Sequence, residues 1–477
     1  MRGTNGSHFK SLLTNVQRVC APRVSNILLG GNMTKSKAKS SLAKQITITN
    51  PEIVVQARYP SSIGVDIHLN LLVCCYQVCT ANEIQTIHAR FSTTASQIKA
   101  FAKWCCDLNP AVIVMESTGV LWRSPYEALE DAGFSQDSLI LVNARDVKAT
   151  IGRKTDREDA QRLAELARLG SLKRSMVPSR VFREMRILAR RYQKITAQAA
   201  TAINAYQKIL NCVGCRASTV FSNVRGVAAT AILEAKVYNK PNFEQIVRDN
   251  SKRLHHSPLE IIDALNFEIS ETMQEQLRAE KELIDFLQKS AQETMQRLQA
   301  CQKPFEKQIE FLTTIPGIKI TAARLIFSEL CEDLKQYFID VEHFTSWMGI
   351  CPGNNISADV SHSGKSAKGN KWIRRVLIEC ANTVRNRKDS LRDRFMALKL
   401  RRGNKRAVVA IAHYFARVIY ALLTKKESYK ESVKSAFRDA LIDRVIRSTK
   451  QLAQQGVEVV GTRAVQRDTG EIIALKH

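Results

Sequence analysis

Two carboxylates stand three residues apart in the stretch KTDREDA (154–160), where Asp156 and Asp159 follow Thr155. If Thr155 caps a helix, both carboxylates project from one face of its first turn. Carboxylates this close repel each other unless a cation or a shared proton lies between them. Acids at a helix start also complement the helix dipole, so the pair alone does not establish a metal site.

Two upstream acids extend the pair to a set of four. Asp66 lies in the apolar run 63–67, and Glu116 directly follows the apolar run 111–115. Four carboxylates gathered at strand ends and a helix start can hold one or two Mg²⁺ or Mn²⁺ ions. Such ions activate an oxygen nucleophile and stabilise the leaving oxygen during transfer at phosphorus. Four unrelated surface acids are the alternative interpretation.

The residue pattern predicts the elements that would position these acids. Short apolar runs at 63–67, 71–78 and 84–91 predict three strands in a meander. A helix at 96–108, a strand at 111–115, a helix at 125–132 and a strand at 139–142 then alternate. Apolar residues at helical spacing continue the helix that begins after Thr155. Residues 59–177 are therefore predicted to form one α/β unit.

The remainder of the chain is predicted to be mainly helical. Residues 178–305 contain stretches rich in Ala, Gln, Glu, Arg and Leu that exceed ordinary globular helices, which favours an antiparallel coiled-coil arm; a plain helical bundle is the alternative. In 306–425, the motif IPGI (315–318) predicts a turn between two helices, whose amides can face a phosphate. Residues 426–477 form a C-terminal extension.

The N-terminal segment, 1–58, is predicted to be a flexible basic arm. Its first 50 residues contain no Asp or Glu and mix Lys, Arg, Ser, Gly and Thr without sustained periodicity. The same composition is typical of an organellar transit peptide, and translation starting at Met33 is a third interpretation. The sequence leaves these three alternatives open.

The composition points to a polyanionic partner. The 477 residues include 72 Lys and Arg against 45 Asp and Glu, a formal net charge of +27, and nucleic acid is the commonest such partner. No apolar run of about 18 residues is evident, so no membrane partner is expected. The twelve cysteines are scattered, as is typical of a reduced intracellular protein, and Cys212 and Cys215 lack the second pair of a zinc site.

Basic residues are dense near the C-terminal half of the chain. From Ser357 to Arg406 there are fifteen Lys and Arg against four Asp and Glu. A solvated basic face is one interpretation, but the neighbouring glycine-rich loop favours contact with phosphates. The candidate phosphate-binding residues are Lys365, Lys368, Lys371, Arg374 and Arg375.

Several motifs resemble those of the DEDD transposases of bacterial insertion sequences. In the first half they are GVDI (64–67), MESTG (115–119), VNAR (142–145) and KTDREDA (154–160). In the second half they are IPGI (315–318), FTSWMGICPGNN (344–355) and KGNKWIRR (368–375). The resemblance covers roughly residues 60–425 in the family's order. It implies an RNase-H-like, RuvC-like first domain and a mostly helical C-terminal transposase domain.

The resemblance also implies an activity. Members of the family excise and insert a mobile element through a transient serine–DNA link, with four acids acting through divalent metal and with a structured RNA choosing the DNA. It places the catalytic serine at Ser357, where this chain reads Ser-Ala-Asp instead of the usual Ser-Ala-Gly. A homo-oligomer, a dimer or tetramer, acting at the nucleoid in the bacterial cytoplasm is expected.

Ser357 has competing interpretations. It stands on a Gly/Asn-rich loop near many cations, yet a serine hydroxyl needs activation, and turn serines commonly satisfy the backbone. Ser361 and Ser363 are competitors within a few residues. Two other functions remain open: a junction-resolving nuclease that uses the four acids with water, and a non-catalytic nucleic-acid-binding protein, such as a domesticated transposase.

Overall fold

The computed structural model divides the chain into two compact units, Met1–Val177 and Pro178–His477. It describes residues 57–79, 83–117, 119–143, 155–222, 224, 226–252, 254–351, 355–357, 360–363, 369–430, 446–460, 463–466, 468–469 and 472–473. Residues 1–56 of the predicted basic arm therefore lie outside the described residues, as do Lys365 and Lys368.

A five-stranded mixed sheet forms the centre of the first unit. Its strands are β1 (Ser61–Ile67), β2 (Leu71–Cys79), β3 (Ile84–Ser92), β4 (Val112–Glu116) and β5 (Leu139–Val142). In the order β3-β2-β1-β4-β5, the first three strands along the chain form an antiparallel meander, while β4 and β5 run parallel to β1. The predicted meander and strand–helix alternation are confirmed, and the fold is RNase-H-like.

Three helices cover the two faces of this sheet. They are α1 (Ala95–Leu108), α2 (Arg123–Asp131) and α3 (Asp156–Arg168). Alternate residues of β4 point to opposite faces. Ile113 and Met115 join a core with side chains of α1 and α2, whereas Val112 and Val114 pack with side chains of α3. Burial on both faces explains why β4 reads as a continuous apolar run.

Two long helices dominate the start of the second unit. They are α4 (Arg180–Cys212) and α9 (Glu271–Gln302). One groove is lined by Tyr192, in the first half of α4, and by Gln299, near the end of α9. A second groove is lined by Tyr206, in the second half of α4, and by Lys281, in the first half of α9. The helices are thus antiparallel, as expected; their coiled-coil character stays a prediction. The helices between them are α5 (Ala217–Val220), α6 (Val227–Val237), α7 (Phe243–Ser251) and α8 (Pro258–Ala264).

The C-terminal part of this unit is mostly helical, with two small sheets. After a 3₁₀ turn at Lys303–Phe305 come α10 (Glu306–Thr313), α11 (Ile320–Glu329), α12 (Leu334–Tyr337), α13 (Val341–Trp347), α14 (Lys371–Thr383), a second 3₁₀ turn at Val384–Asn386, α15 (Ser390–Arg402) and α16 (Asn404–Lys425). The strands are β6 (Asn355–Ser357), β7 (Val360–Ser363), β8 (Val457–Val460), β9 (Arg463–Gln466) and β10 (Ile472–Ile473). The predicted turn at IPGI separates α10 from α11, with Gly317 at a φ of +97°.

Helix α16 is longer and more apolar than the sequence pattern alone indicated. An 18-residue window of this 22-residue helix reaches a mean hydropathy of 1.7, so by length and composition the helix is able to cross a membrane. Its apolar residues recur at helical spacing, and Ile411, Phe415 and Ile419 are buried. Buried helices of soluble proteins have the same character, and α16 is a core helix of the second unit.

Among the described residues, ten cysteines are free thiols, including the adjacent pairs Cys74–Cys75 and Cys105–Cys106. Burial raises the pKa of the Cys75 thiol to about 11, so it stays protonated and unreactive at neutral pH. Cys212 is exposed while Cys215 is buried. Among the described residues, no zinc-type cluster includes these two cysteines.

Candidate active site

Strand pairing puts Asp66 and Glu116 at the same edge of the sheet. Val65 of β1 is paired in parallel with Met115 of β4, so the next residue on each strand is one of the two acids. Glu116 is in turn paired with Val142 of β5. The carboxyl ends of parallel strands are where α/β sheets commonly place their functional side chains.

Small residues let α3 lie directly on β1. A Cβ atom added to Gly64 would fall 2.1 Å from the Ala160 carbonyl oxygen and 2.4 Å from the Ala164 nitrogen. The Ser62 hydroxyl also donates a 2.7 Å hydrogen bond to the Ala164 carbonyl. The helix backbone therefore contacts the strand backbone, which is possible only because Gly64 has no side chain.

The start of α3 then presents the second pair of acids. Thr155 is the N-cap, as predicted, and its hydroxyl accepts a 3.3 Å hydrogen bond from the Glu158 amide. Asp156 is exposed and Asp159 is partly buried, and both lie in the first helical turn. The cap fixes where the helix begins, and the contact at Gly64 fixes where that start lies on the sheet.

Asp66 interacts electrostatically with the three other acids at this edge. Asp66 is buried, and that burial raises the pKa of its carboxyl above the usual range. His68 lowers the same pKa, whereas the negative charges of Asp159, Glu116 and Asp156 raise it further. The other three acids are thus close enough to Asp66 to affect its carboxyl, and of the four only Asp66 and Asp156 belong to a group of three ligand atoms within 4.8 Å of one another, the third being from His68. The repulsion between Asp66 and the other acids favours binding of a cation.

His68 belongs to the same cluster but was missed in the sequence. Its Nε2 atom lies 3.0 Å from Asp66 Oδ2 and 3.5 Å from Asp156 Oδ1. The residue follows β1, where its amide donates a 2.9 Å hydrogen bond to the Leu71 carbonyl and so starts the turn into β2. Residues i and i+2 of an extended chain face the same side, so the spacing of Asp66 and His68 was the available signal.

The predicted serine lies in the second unit. Ser357 ends β6 and is paired with Val360 at the start of β7, while Ser361 and Ser363 belong to β7 itself. The segment is therefore a short β-hairpin, where a loop had been expected. The acids belong to the first unit and Ser357 to the second.

The described candidates for phosphate binding lie in the first turns of α14 and have protein partners. Arg374 donates a 2.5 Å hydrogen bond to the Gly349 carbonyl, and exposed Arg375 pairs with Glu379 at 2.9 Å. The Lys371 ammonium lies 5.3 Å from the centre of the Trp372 ring. Arg374 thus helps to hold the fold, whereas Lys371 and Arg375 are exposed.

A run of exposed cations occurs further on, where α15 ends and α16 begins. All eight residues of 399–406, here called the basic turn, are exposed. Five of them carry a positive charge and none is acidic: Lys399, Arg401, Arg402, Lys405 and Arg406. Within the described part of the chain, no salt bridge neutralises them. This turn was counted in the basic stretch but not singled out from the sequence.

A buried ionic network fixes the start of α14. Glu329 is fully buried, and its carboxylate accepts two 2.7 Å hydrogen bonds from Arg190 and a third from the Asn370 side chain. Asn370 also caps α14. A Cβ added to Gly369 would fall 2.3 Å from the Gly349 nitrogen. This part of the C-terminal motifs therefore serves the fold.

The strand order and the acids at its edge place the first unit in the RNase-H-like class. Comparison with known families agrees: a model described as a transposase, the IS110-type DEDD family, matches residues 63–214. A second, described as the transposase IS116/IS110/IS902 family, matches residues 309–396. Together the two models match half of the chain, which belongs to the IS110-type DEDD transposases, a family of enzymes that cut and rejoin DNA.

Two relatives are described as transposases. A transposase for insertion sequence element IS1111A from Coxiella burnetii is 31% identical over 122 residues, which are 24% of this chain and 33% of that protein. A probable family 20 transposase from Pseudomonas aeruginosa is 23% identical over 377 residues, covering 78% of this chain and 98% of the relative. The RuvC structure from Thermus thermophilus matches 24% of this chain and 99% of its own, with 13% identity and a TM-score of 0.20.

Proposed function

We propose that this chain is the transposase of an insertion sequence and that it cuts and rejoins DNA at Asp66, Glu116, Asp156, Asp159 and Ser357. The observation that supports the proposal is that Asp66 interacts electrostatically with Glu116, Asp156 and Asp159 at one edge of an RNase-H-like sheet, in a chain that matches both halves of the family. A set of unrelated surface acids would not share one electrostatic environment.

The four acids are suited to a divalent cation. Burial and, to a smaller extent, the neighbouring acids raise the pKa of the Asp66 carboxyl, so a bound cation favours its ionised form. Oxygen ligands of this kind suit Mg²⁺ or Mn²⁺. Asp66, Glu116, Asp156 and Asp159 would hold the ion, which supplies Lewis-acid stabilisation for transfer at phosphorus.

Ser357 is proposed to carry the DNA strand between the two reactions. Its hydroxyl oxygen forms a bond to a phosphorus atom of the DNA, one strand bond breaks, and the departing oxygen takes a proton to leave as a hydroxyl. A hydroxyl at the end of the second strand then takes the phosphate from the serine, which regains its proton. The number of phosphodiester bonds is conserved, so no external energy source is needed.

The nucleic-acid partners are proposed from charge and family. The net charge of +27 and the exposed cations of the basic turn favour binding to phosphates. DNA is the substrate, and a structured guide RNA is proposed to select it, as the family resemblance implies. A dimer or tetramer acting at the nucleoid of the bacterial cytoplasm is the expected form.

A junction-resolving nuclease is the second candidate. It is favoured by the placement of all four acids in one unit, because hydrolysis by the acids with water needs no serine. The transposase forms a covalent bond between Ser357 and DNA, whereas the nuclease does not, so a protein–DNA adduct distinguishes the two candidates. A non-catalytic nucleic-acid-binding protein would show neither cleavage nor an adduct.

The test uses the full chain purified with its bound RNA, which is sequenced, and a DNA that carries the ends of the element. We expect a discrete structured RNA, strand transfer, and a protein–DNA adduct that survives denaturation. Ser357→Ala and Asp156→Asn should each abolish strand transfer while retaining binding, and Ser363→Ala is the matched control. Cleavage without an adduct would favour the nuclease, and random RNA fragments would contradict guidance.

A further inference from the structure

The position of His68 among the acids has a chemical meaning beyond the four carboxylates. Its Nε2 atom is shielded from solvent and makes no hydrogen bond to any described residue, although Asp66 Oδ2 and Asp156 Oδ1 lie 3.0 and 3.5 Å away. A solvent-shielded nitrogen that makes no hydrogen bond is costly. Its cost is removed if the lone pair of the nitrogen is directed to a cation.

The spacing of the three atoms agrees with that of ligands around one ion. Oxygen and nitrogen ligands bound at about 2.1 Å lie about 3.0 Å apart at octahedral angles and about 3.4 Å apart at tetrahedral angles. The two measured separations, 3.0 and 3.5 Å, are close to these values. One ligand atom from each of Asp66, His68 and Asp156 lies within 4.8 Å of the other two, and no other such group exists among the described residues.

The backbone also holds His68 in place. Asp66 is the penultimate residue of β1, and the 2.9 Å hydrogen bond from the His68 amide to the Leu71 carbonyl closes the tight connection to β2. Two of the three ligand atoms therefore come from one short, fixed segment, and the third comes from the capped start of α3. Fixed ligands lose little conformational entropy on binding.

We propose that His68 is a nitrogen ligand of the divalent ion, so that the site prefers Mn²⁺ and other transition-metal ions to Mg²⁺. The inference rests on the proposed function of the four acids. Imidazole binds first-row transition ions well, whereas Mg²⁺ prefers oxygen ligands and retains its water. A site made of four carboxylates alone lacks this preference, so His68 sets the selectivity.

The test measures binding of MnCl₂ and MgCl₂ to the full chain, with Mn²⁺ followed by electron paramagnetic resonance and Mg²⁺ by competition. His68→Ala should weaken Mn²⁺ binding about tenfold or more and change Mg²⁺ binding less than about twofold. Electron spin-echo modulation of bound Mn²⁺ should show coupling to nitrogen in the wild type and lose it in His68→Ala and in the similarly sized His68→Gln.

Controls separate ligation from general damage. His343, whose Nδ1 lies 2.7 Å from Asp340 Oδ1, is an exposed histidine beside a single carboxylate, and His343→Ala should leave binding of both ions unchanged. Thermal unfolding of each variant reports whether it is folded. If Mn²⁺ binds the wild type without nitrogen coupling, or if His68→Ala weakens both ions equally, the ligand role is wrong and the proposed function stands. If the wild type binds neither ion, metal-dependent chemistry itself is refuted.

Discussion

Replacing Gly64 with alanine should displace the start of α3 without removing any acid. The added Cβ would lie 2.1 Å from the Ala160 carbonyl oxygen and 2.4 Å from the Ala164 nitrogen, both backbone atoms that no rotamer change can move. Ordinary contact begins at roughly 3.5 Å, so strand and helix must separate by roughly 1.4 Å at this point. Asp156 and Asp159 move with the helix.

We therefore expect Gly64→Ala to lower both the free energy of unfolding and the rate of strand transfer. Overpacking of this kind typically costs about 1–3 kcal/mol of unfolding free energy, and a misplacement of about 1 Å in a catalytic site costs about a hundredfold in rate. We expect Gly64→Ala to weaken Mn²⁺ binding and strand transfer strongly, while nucleic-acid binding stays close to that of the wild type. The assays are thermal unfolding, Mn²⁺ titration and strand transfer.

Gly133 provides the matched control in the same unit. Its φ of +95° makes alanine unfavourable, but nothing lies within 4 Å of the added Cβ. The free energy of unfolding of Gly133→Ala should thus fall by about 1–2 kcal/mol because of backbone strain. The affinity of this variant for Mn²⁺ should stay that of the wild type. Wild-type metal affinity and strand transfer in Gly64→Ala would refute the claim that this contact positions the acids.

Three other perturbations act on the basic turn, the buried ion pair and the subunit arrangement. Neutralising the five cations of the basic turn should flatten the salt dependence of DNA binding by roughly 0.9 in log–log slope for each phosphate that the protein no longer neutralises; an unchanged slope in a salt titration would place the nucleic acid elsewhere. Arg190→Ala leaves the buried Glu329 carboxylate without its bidentate partner, so denaturant unfolding should show a drop of about 3–5 kcal/mol in unfolding free energy, and a drop below about 1 kcal/mol would contradict the role given to this pair. If one subunit supplies the serine and another the acids, a mixture of Ser357→Ala and Asp156→Asn chains should form a DNA adduct, and only on the Asp156→Asn chain. If mixed assemblies are demonstrated but no adduct forms, each subunit builds its own site.

The sheet was predictable because its signals are local. The apolar runs of β1, β4 and β5 are short and bounded by polar residues, and Thr155 precedes an apolar helical pattern. Such patterns depend on neighbours in sequence. The acids were found because two of them stand at the ends of these runs. The place of Ser357 in a hairpin was not predicted, since Asn and Gly residues favour turns whether or not two short strands flank them.

Other features depend on contacts between distant residues. The need for glycine at position 64 arises from a helix that begins 92 residues later, and Arg374 is held by the carbonyl of Gly349. A single histidine after a strand has no periodicity that separates a ligand from a surface residue, which is why His68 was missed. The apolar length of α16 was overlooked because a histidine and an arginine interrupt it.

Because α3 packs on the sheet, the free energy of unfolding depends on the concentration of divalent ions. Asp66 and His68 belong to the first strand and its turn, whereas Asp156 comes from a helix start far along the chain. An ion held by all three would join two segments that the unfolded chain keeps apart, so it binds the folded form selectively. At a free ion concentration one hundred times the dissociation constant, this linkage adds about 2.7 kcal/mol to the free energy of unfolding. The thermal midpoint of the first unit would then report the divalent-ion content of its surroundings.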